Sequence, residues 1–191
     1  MVITLLAACD RLTKPTSSGR PYEVLVVVDD QLWQRPAGRA LFDVLDTDVP
    51  GLPQPERSFR ISQTTQKRFS QVLNIFRTII KVDIDPMQYT QTKMKFTRDV
   101  YARPQVVLTI QSPNEKDFAA FVKKNSRSII DFLVKVEMNR QINELEEKHS
   151  EAVSQLAEEI FKCQLWAPAE IKSYKKGKDF FWASSNTASG W

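Results

Sequence analysis

Four aspartates sit where apolar runs end. Asp29 and Asp30 close the run Tyr22–Val28, and Asp83 and Asp85 lie in Val82-Asp83-Ile84-Asp85-Pro86. Carboxylates at adjacent strand ends can hold a divalent cation through their oxygens, and strand ends in α/β folds often carry metal- or phosphate-handling groups. The plainer reading is an N-cap and a strand terminator. No glycine-rich phosphate loop follows either pair, so no cofactor is expected. His149, the one histidine, lies in the polar stretch Glu146-Glu147-Lys148-His149-Ser150 and reads as a solvated surface side chain. Cys163 sits among Ile160, Phe161, Leu165 and Trp166 and reads as a buried free thiol. No nucleophile elbow or multi-histidine set is present, so no residue is assigned a catalytic role. An enzyme would have to be metal-dependent and use the strand-end aspartates.

A second group of residues suits binding. Trp33, Trp166, Phe180, Phe181 and Trp182 form an aromatic set, with Lys175, Lys176 and Lys178 beside the last three. Aromatic rings next to cations stack on sugar rings or bases. Strand alternation turns Phe181 inward if Phe180 and Trp182 face outward. Trp33, Lys175, Lys176, Lys178, Phe180 and Trp182 are therefore the expected partner contacts. The alternative is one buried face whose covering sequence is missing. The 27 basic residues are spread along the chain and answered by 23 acidic ones, for a net charge of +4. A nucleic-acid binder would concentrate them on one face, so no nucleic acid is expected.

These residues need a scaffold, and the chain supplies patterns for one. Residues 1–8 are apolar and end in small side chains. Leu6-Ala7-Ala8-Cys9 resembles the lipobox of bacterial lipoproteins, with Cys9 as the residue that receives lipid. Residues 9–20 read as lipid anchor and tether, and 21–191 as a single α+β domain. Tyr22–Val28 reads as a buried central strand. Asp30 can cap a short turn through Trp33, and Pro36 opens a helix to Leu45. Phe59–Ile61 is a short strand. Thr64 or Thr65 caps a helix to Phe76, with Phe69, Val72, Leu73 and Phe76 at helical spacing. Thr78–Ile84 and Gln105–Gln111 are strands, with another within Lys95–Arg103. Ser112-Pro113-Asn114-Glu115 has the form of a capping box with Ser112 as N-cap. A long helical pattern follows to about Lys162, with a break near Asn125, and Pro168 ends it. Ile171–Tyr174 and Asp179–Ala183 form a hairpin. The expected fold is α+β: a mixed or antiparallel sheet with helices on one face, loosely a ferredoxin-like two-layer sandwich with one long helix. A doubly wound α/β sheet is the alternative.

The segments Gly19–Val24, Val44–Thr47, Val49–Glu56, Glu137–Ile142 and Ser173–Ala183, in this order, resemble an uncharacterised domain-of-unknown-function family of lipoproteins from Bacteroides-type bacteria. That resemblance implies a lipid-anchored protein of the cell envelope, periplasmic or outer-membrane associated. It carries no activity and no catalytic residues. It also implies that Trp191 is a truncation and that a C-terminal half would pack against this one. Together these readings predict a non-catalytic binding or assembly module, held to the membrane at Cys9, for a protein or glycan partner.

Overall fold

The computed structural model describes residues 14–69 and 72–185. They form two compact units, one ending at Val134 and one beginning at Lys135. Among the described residues no helix is long and apolar enough to cross a membrane.

The first unit is built on a five-stranded sheet. Its strands are β1 (Glu23–Val27), β2 (Arg60–Thr64), β3 (Thr78–Ile84), β4 (Lys93–Arg98) and β5 (Val106–Ser112), in the order β2-β1-β3-β5-β4. β1 pairs in parallel with β2 and β3, β3 pairs in parallel with β5, and β4 runs antiparallel along the edge. The apolar run of β1 is continuous because that strand is covered on both faces, whereas β3 and β5 are apolar and buried on both sides only over their first residues. On one face lie α1 (Asp30–Gln34), α2 (Pro36–Leu45), α3 (Glu115–Lys124) and the start of α4 (Ser126–Glu147). Leu41, Leu45, Phe118, Val122, Ile129 and Leu133 from these helices close over Val24, Val26, Ile80, Leu108 and Ile110. This is the mixed sheet with helices on one face. A doubly wound fold would place helices on the other face too. There, Leu25, Val27, Ile79 and Val107 are instead covered by Phe69, Leu73, Phe76 and Tyr101.

Those covering residues overturn one helix. The helix expected from Thr64 or Thr65 to Phe76 does not form, and the described residues of that stretch lie mostly in turns. A first turn does close, with the Arg68 and Phe69 N–H groups on the Thr65 carbonyl, both at 3.0 Å. It does not propagate. The buried side chain of Gln105 takes the carbonyls of Asn74 and Phe76, at 2.6 and 2.7 Å. These bonds tie the end of the segment to the residue just before β5, with Phe69, Leu73 and Phe76 packed on the sheet. Val72, at helical spacing with Phe69, is 74% exposed.

Two caps also differ. Asp29, rather than Asp30, caps α1. Asn114, rather than Ser112, caps α3: its Oδ1 accepts from the Asp117 N–H at 2.9 Å, and its Nδ2 donates to the Asp117 carboxylate at 2.9 Å. Ser112 is still the last residue of β5. Its hydroxyl meets Thr92 Oγ1 at 2.7 Å and donates to the Asn114 carbonyl at 2.9 Å. Asn114→Ala is expected to destabilise the protein by about 1 kcal/mol, the usual loss for a removed N-cap. Urea titration checks this, and an unchanged midpoint would mean that Phe118 packing alone holds the first turn.

The second unit holds the remainder of α4, then α5 (Glu151–Phe161) and a hairpin of β6 (Ser173–Lys176) and β7 (Phe181–Ser184). The helical pattern expected to run to Lys162 breaks at 148–150. There the Ser150 N–H leaves the helix for the Ala167 carbonyl at 2.9 Å, and its hydroxyl donates to Ile171 at 2.7 Å. Pro168 does not end the helix. Lys162 does, in a left-handed conformation (φ 56°), with its N–H on Glu158 at 3.1 Å.

Candidate functional site

The four aspartates are each engaged by nearby protein groups. Asp29 Oδ1 accepts from the Gln31 N–H at 2.9 Å, and Asp85 accepts from the Met87 N–H at 2.8 Å. Asp30 accepts from Gln63 Nε2 at 3.0 Å and lies 3.9 Å from Arg68. Asp83 accepts from the Tyr89 hydroxyl, which in turn accepts from Gln111 Nε2 at 2.6 Å. The hydrogen bond to Asp83, then desolvation, then the charge of Asp83 hold Tyr89 above the usual phenol range. Among the described residues no three Asp, Glu, His or Cys side chains converge as a metal set would require. The local geometry makes a cap of Asp29 and a turn of Asp85, and it gives Asp83 a phenol in place of a second carboxylate.

The aromatic set separates. Trp33 was an expected partner contact, but it is buried in the core, edge-on to Phe42 at 5.9 Å. The Arg39 guanidinium lies 3.7 Å over the Phe42 ring and helps to seal it. Trp33 therefore has no face free for a ligand. Its position in a short apolar turn before Pro36 suited either role; only the packing of α1 on α2 chose between them.

The hairpin sorts its residues by register. Lys175 pairs with Trp182 and Lys176 with Phe181, so the two pairs point to opposite faces. Phe181 turns inward onto Phe161, 6.0 Å between centroids. Lys176, an expected partner contact, goes with it and is ion-paired to Glu159. That hydrogen bond, then the attraction of the Lys176 charge, hold the Glu159 carboxyl below its usual range. Glu159 has no local signal in the sequence, because it lies seventeen residues before its partner.

The outward face carries Lys175 and Trp182, and Phe180 by alternation. Phe180 is 62% exposed and Trp182 is 53% exposed. The Phe180 ring rests against Gly177, where an added Cβ would come within 2.6 Å of its Cδ1 atom. The Gly177 N–H donates to the Phe180 carbonyl at 2.8 Å and closes the turn. Lys178 is exposed in that turn. β6 and β7 form a two-stranded sheet, so among the described residues neither outer edge pairs with a further strand. The site is thus an aromatic face with one cation across the strand pair, flanked by edges that pair with no further strand among the described residues.

Three other expected residues are placed differently or lie outside. His149 is half-buried rather than solvated. Its Nδ1 is 2.9 Å from the Leu145 carbonyl, and its ring stacks on Trp166 at 5.8 Å. Cys163 is exposed rather than buried, because α5 ends at Phe161 and the thiol lies beyond the turn. Cys9 lies outside the described residues.

No curated protein and no solved structure matches the chain. One family model does, a domain of unknown function (DUF8532), over residues 17–146. The match takes in all five strands of the first sheet and the caps that position its aspartates. It covers well over half of the 191 residues, and the chain belongs to this family of unknown function.

Proposed function

We propose that the protein is a non-catalytic binding module of the bacterial cell envelope, tethered by lipid at Cys9, that engages a protein partner through the outward face of the β6–β7 hairpin. The observation that carries this reading is the pair Phe180 and Trp182, both more than half exposed on one face, on a hairpin that pairs with no further strand among the described residues. Exposed aromatic surface of this kind marks interaction sites, and tryptophan is enriched among the residues that dominate binding energy. Open edges add a second mode, in which a partner strand extends the hairpin. The dispersed aspartates favour binding over metal-dependent catalysis. The lipid tether rests on Leu6-Ala7-Ala8-Cys9 and the polar stretch behind it. Two or more acyl chains on one cysteine hold a protein firmly at a membrane.

The test is photo-crosslinking in cells of the source type, with a benzophenone amino acid placed at Trp182 and, as control, at Met87, which is 91% exposed in the first unit. A discrete adduct from position 182 that is absent from position 87 and lost with protease supports the reading. A protease-resistant adduct would point to a glycan instead, and no adduct at 182 would sink the hairpin as an interface. Labelling with a clickable fatty acid, lost in Cys9→Ser, checks the tether separately.

A further inference from the structure

The sheet face that carries no helices is only half covered. Ile79 and Val107 lie under Phe69, Leu73, Phe76 and Tyr101. The next two rows across β3, β5 and β4 are polar. Strand register sets Lys81, Thr109 and Lys95 side by side in one row and Asp83, Gln111 and Lys93 in the next. Thr109 and Gln111 belong to an interior strand, yet both are half-exposed, while their neighbours Leu108 and Ile110 on the helix side are buried. An interior strand with one polar, accessible side is a face that meets water or a polar partner.

The charge on this face is unbalanced. Among the described residues Lys81, Lys93 and Lys95 have no carboxylate within ion-pair distance. Lys81 reaches Tyr101 Oη at 3.3 Å and sits 4.9 Å from the Phe69 ring centroid. The one acid in these rows, Asp83, is bonded to Tyr89. Strand spacing puts Lys81 and Lys95 roughly 10 Å apart, with the Thr109 hydroxyl between them, and Lys93 about 7 Å along the strand from Lys95. Two ammonium groups flanking a hydroxyl suit phosphate oxygens.

The chain also enters on this side. Residues 15–18 bond to the segments that cover this face: the Ser17 and Arg103 backbones pair with Arg103 and Pro15 at 2.8 and 2.9 Å, and Ser18 donates to Ile75 at 2.8 Å. Lys14 donates to the Asp99 carbonyl just beyond β4. Cys9 is five residues before Lys14, so an extended chain places it no more than roughly 18 Å away. A lipid on Cys9 would keep the membrane surface near this side of the sheet.

We propose that Lys81, Lys93 and Lys95 form a docking face for the phosphate headgroups of an anionic phospholipid membrane. The choice of a membrane over a soluble anion rests on the tether reading; the cationic face itself does not. Each lysine near an anionic surface contributes about 1 kcal/mol, or roughly fivefold in partitioning, and salt screens it.

The experiment uses the full chain as Cys9→Ser, so that no acyl chain contributes. Sedimentation is measured with vesicles of one part phosphatidylglycerol to two parts phosphatidylcholine, and with pure phosphatidylcholine. The expected result is binding to the first only, weakened by salt and reduced roughly 30-fold in Lys93→Gln/Lys95→Gln. Lys116→Gln/Lys123→Gln, at exposed positions of α3 on the opposite side of the sheet, should bind as the parent does. Both lysines on β4 are exposed, so unchanged thermal melts will show that the double variant is folded. Equal binding to both vesicle types, or binding indifferent to Lys93 and Lys95, overturns the proposal. Loss of fatty-acid labelling at Cys9 with vesicle binding intact would remove the tether and leave the cationic face standing. Labelling intact with no vesicle binding would do the reverse.

Discussion

Gln105→Leu is expected to destabilise the first unit by about 3 kcal/mol, because three part-buried backbone groups would lose their partners together. Gln105 is 1% exposed. Its Nε2 donates to the carbonyls of Asn74 and Phe76, and its Oε1 accepts from the Tyr101 N–H at 2.9 Å. Each buried polar group left unpaired costs about 1–3 kcal/mol. Leucine of similar volume fills the space and satisfies none of them, so packing offsets little. Glutamate is the informative second variant. It keeps an acceptor for Tyr101, lacks both donors, and adds a charge in a buried site, so it should be at least as damaging. Guanidinium titrations of both variants give the measurement. Near-parental stability for Gln105→Leu would mean that water reaches these carbonyls and that the 65–77 segment is not held by this residue.

Gly38→Ala is expected to cost about 3 kcal/mol, against the usual preference of a helix for alanine. Gly38 is the third residue of α2, where the helix passes the backbone of α1. A Cβ built there would lie 2.5 Å from the Trp33 Cα atom and 2.8 Å from its carbonyl oxygen, and nearer still to the Leu32 carbonyl. All three are backbone atoms, so no side-chain rotation relieves them. α1 would have to shift against α2 and take Trp33 with it out of the packing with Phe42. Overpacking of that kind costs roughly 1–3 kcal/mol and occasionally more. The gain from helix propensity, about 1 kcal/mol, is the smaller effect. Tryptophan emission should move to the red as Trp33 loosens, alongside a lower denaturation midpoint. A variant as stable as the parent would show that the two helices have room to separate.

Much of the scaffold was legible in the chain because local rules decided it. β1 is an apolar run of strand length, β3 alternates weakly, and β5 is rich in β-branched and apolar residues. Pro36 marks the start of α2, and its stripe of Leu41, Phe42 and Leu45 ends at the observed boundary. The hairpin is readable from its turn, and the opposition of Phe181 to Phe180 and Trp182 follows from alternation alone. What failed locally failed because another group engaged a hydrogen-bonding atom that the local pattern had assigned elsewhere. Gln105, distant in the sequence, took the Asn74 and Phe76 carbonyls, and the stretch expected to be helical as far as Phe76 lies in turns. Ala167 took the N–H of Ser150 and broke the long helix. Thr92 and the Asn114 carbonyl engaged the Ser112 hydroxyl, which left the cap of α3 to Asn114.

Site residues divide along the same line. The sequence by itself determined residue type, alternation and the ends of strands. It could thus nominate Asp29, Asp30, Asp83 and Asp85, but carboxylates at strand ends meet only if loop hydrogen bonds turn them toward one another. Here the Gln31 and Met87 N–H groups and the Tyr89 hydroxyl engage three of them, and no set of three metal-ligating side chains forms among the described residues. It could nominate Trp33 and Lys176, but burial against α2 and the ion pair with Glu159 were decided by packing. Lys81, Lys93 and Lys95 carry no local signal at all. Their alignment across Thr109 and Gln111 exists only once parallel β3 and antiparallel β4 are paired to either side of β5. Strand order and register are set by crossovers and by the burial of whole faces, which are properties of the assembled sheet and of no single segment.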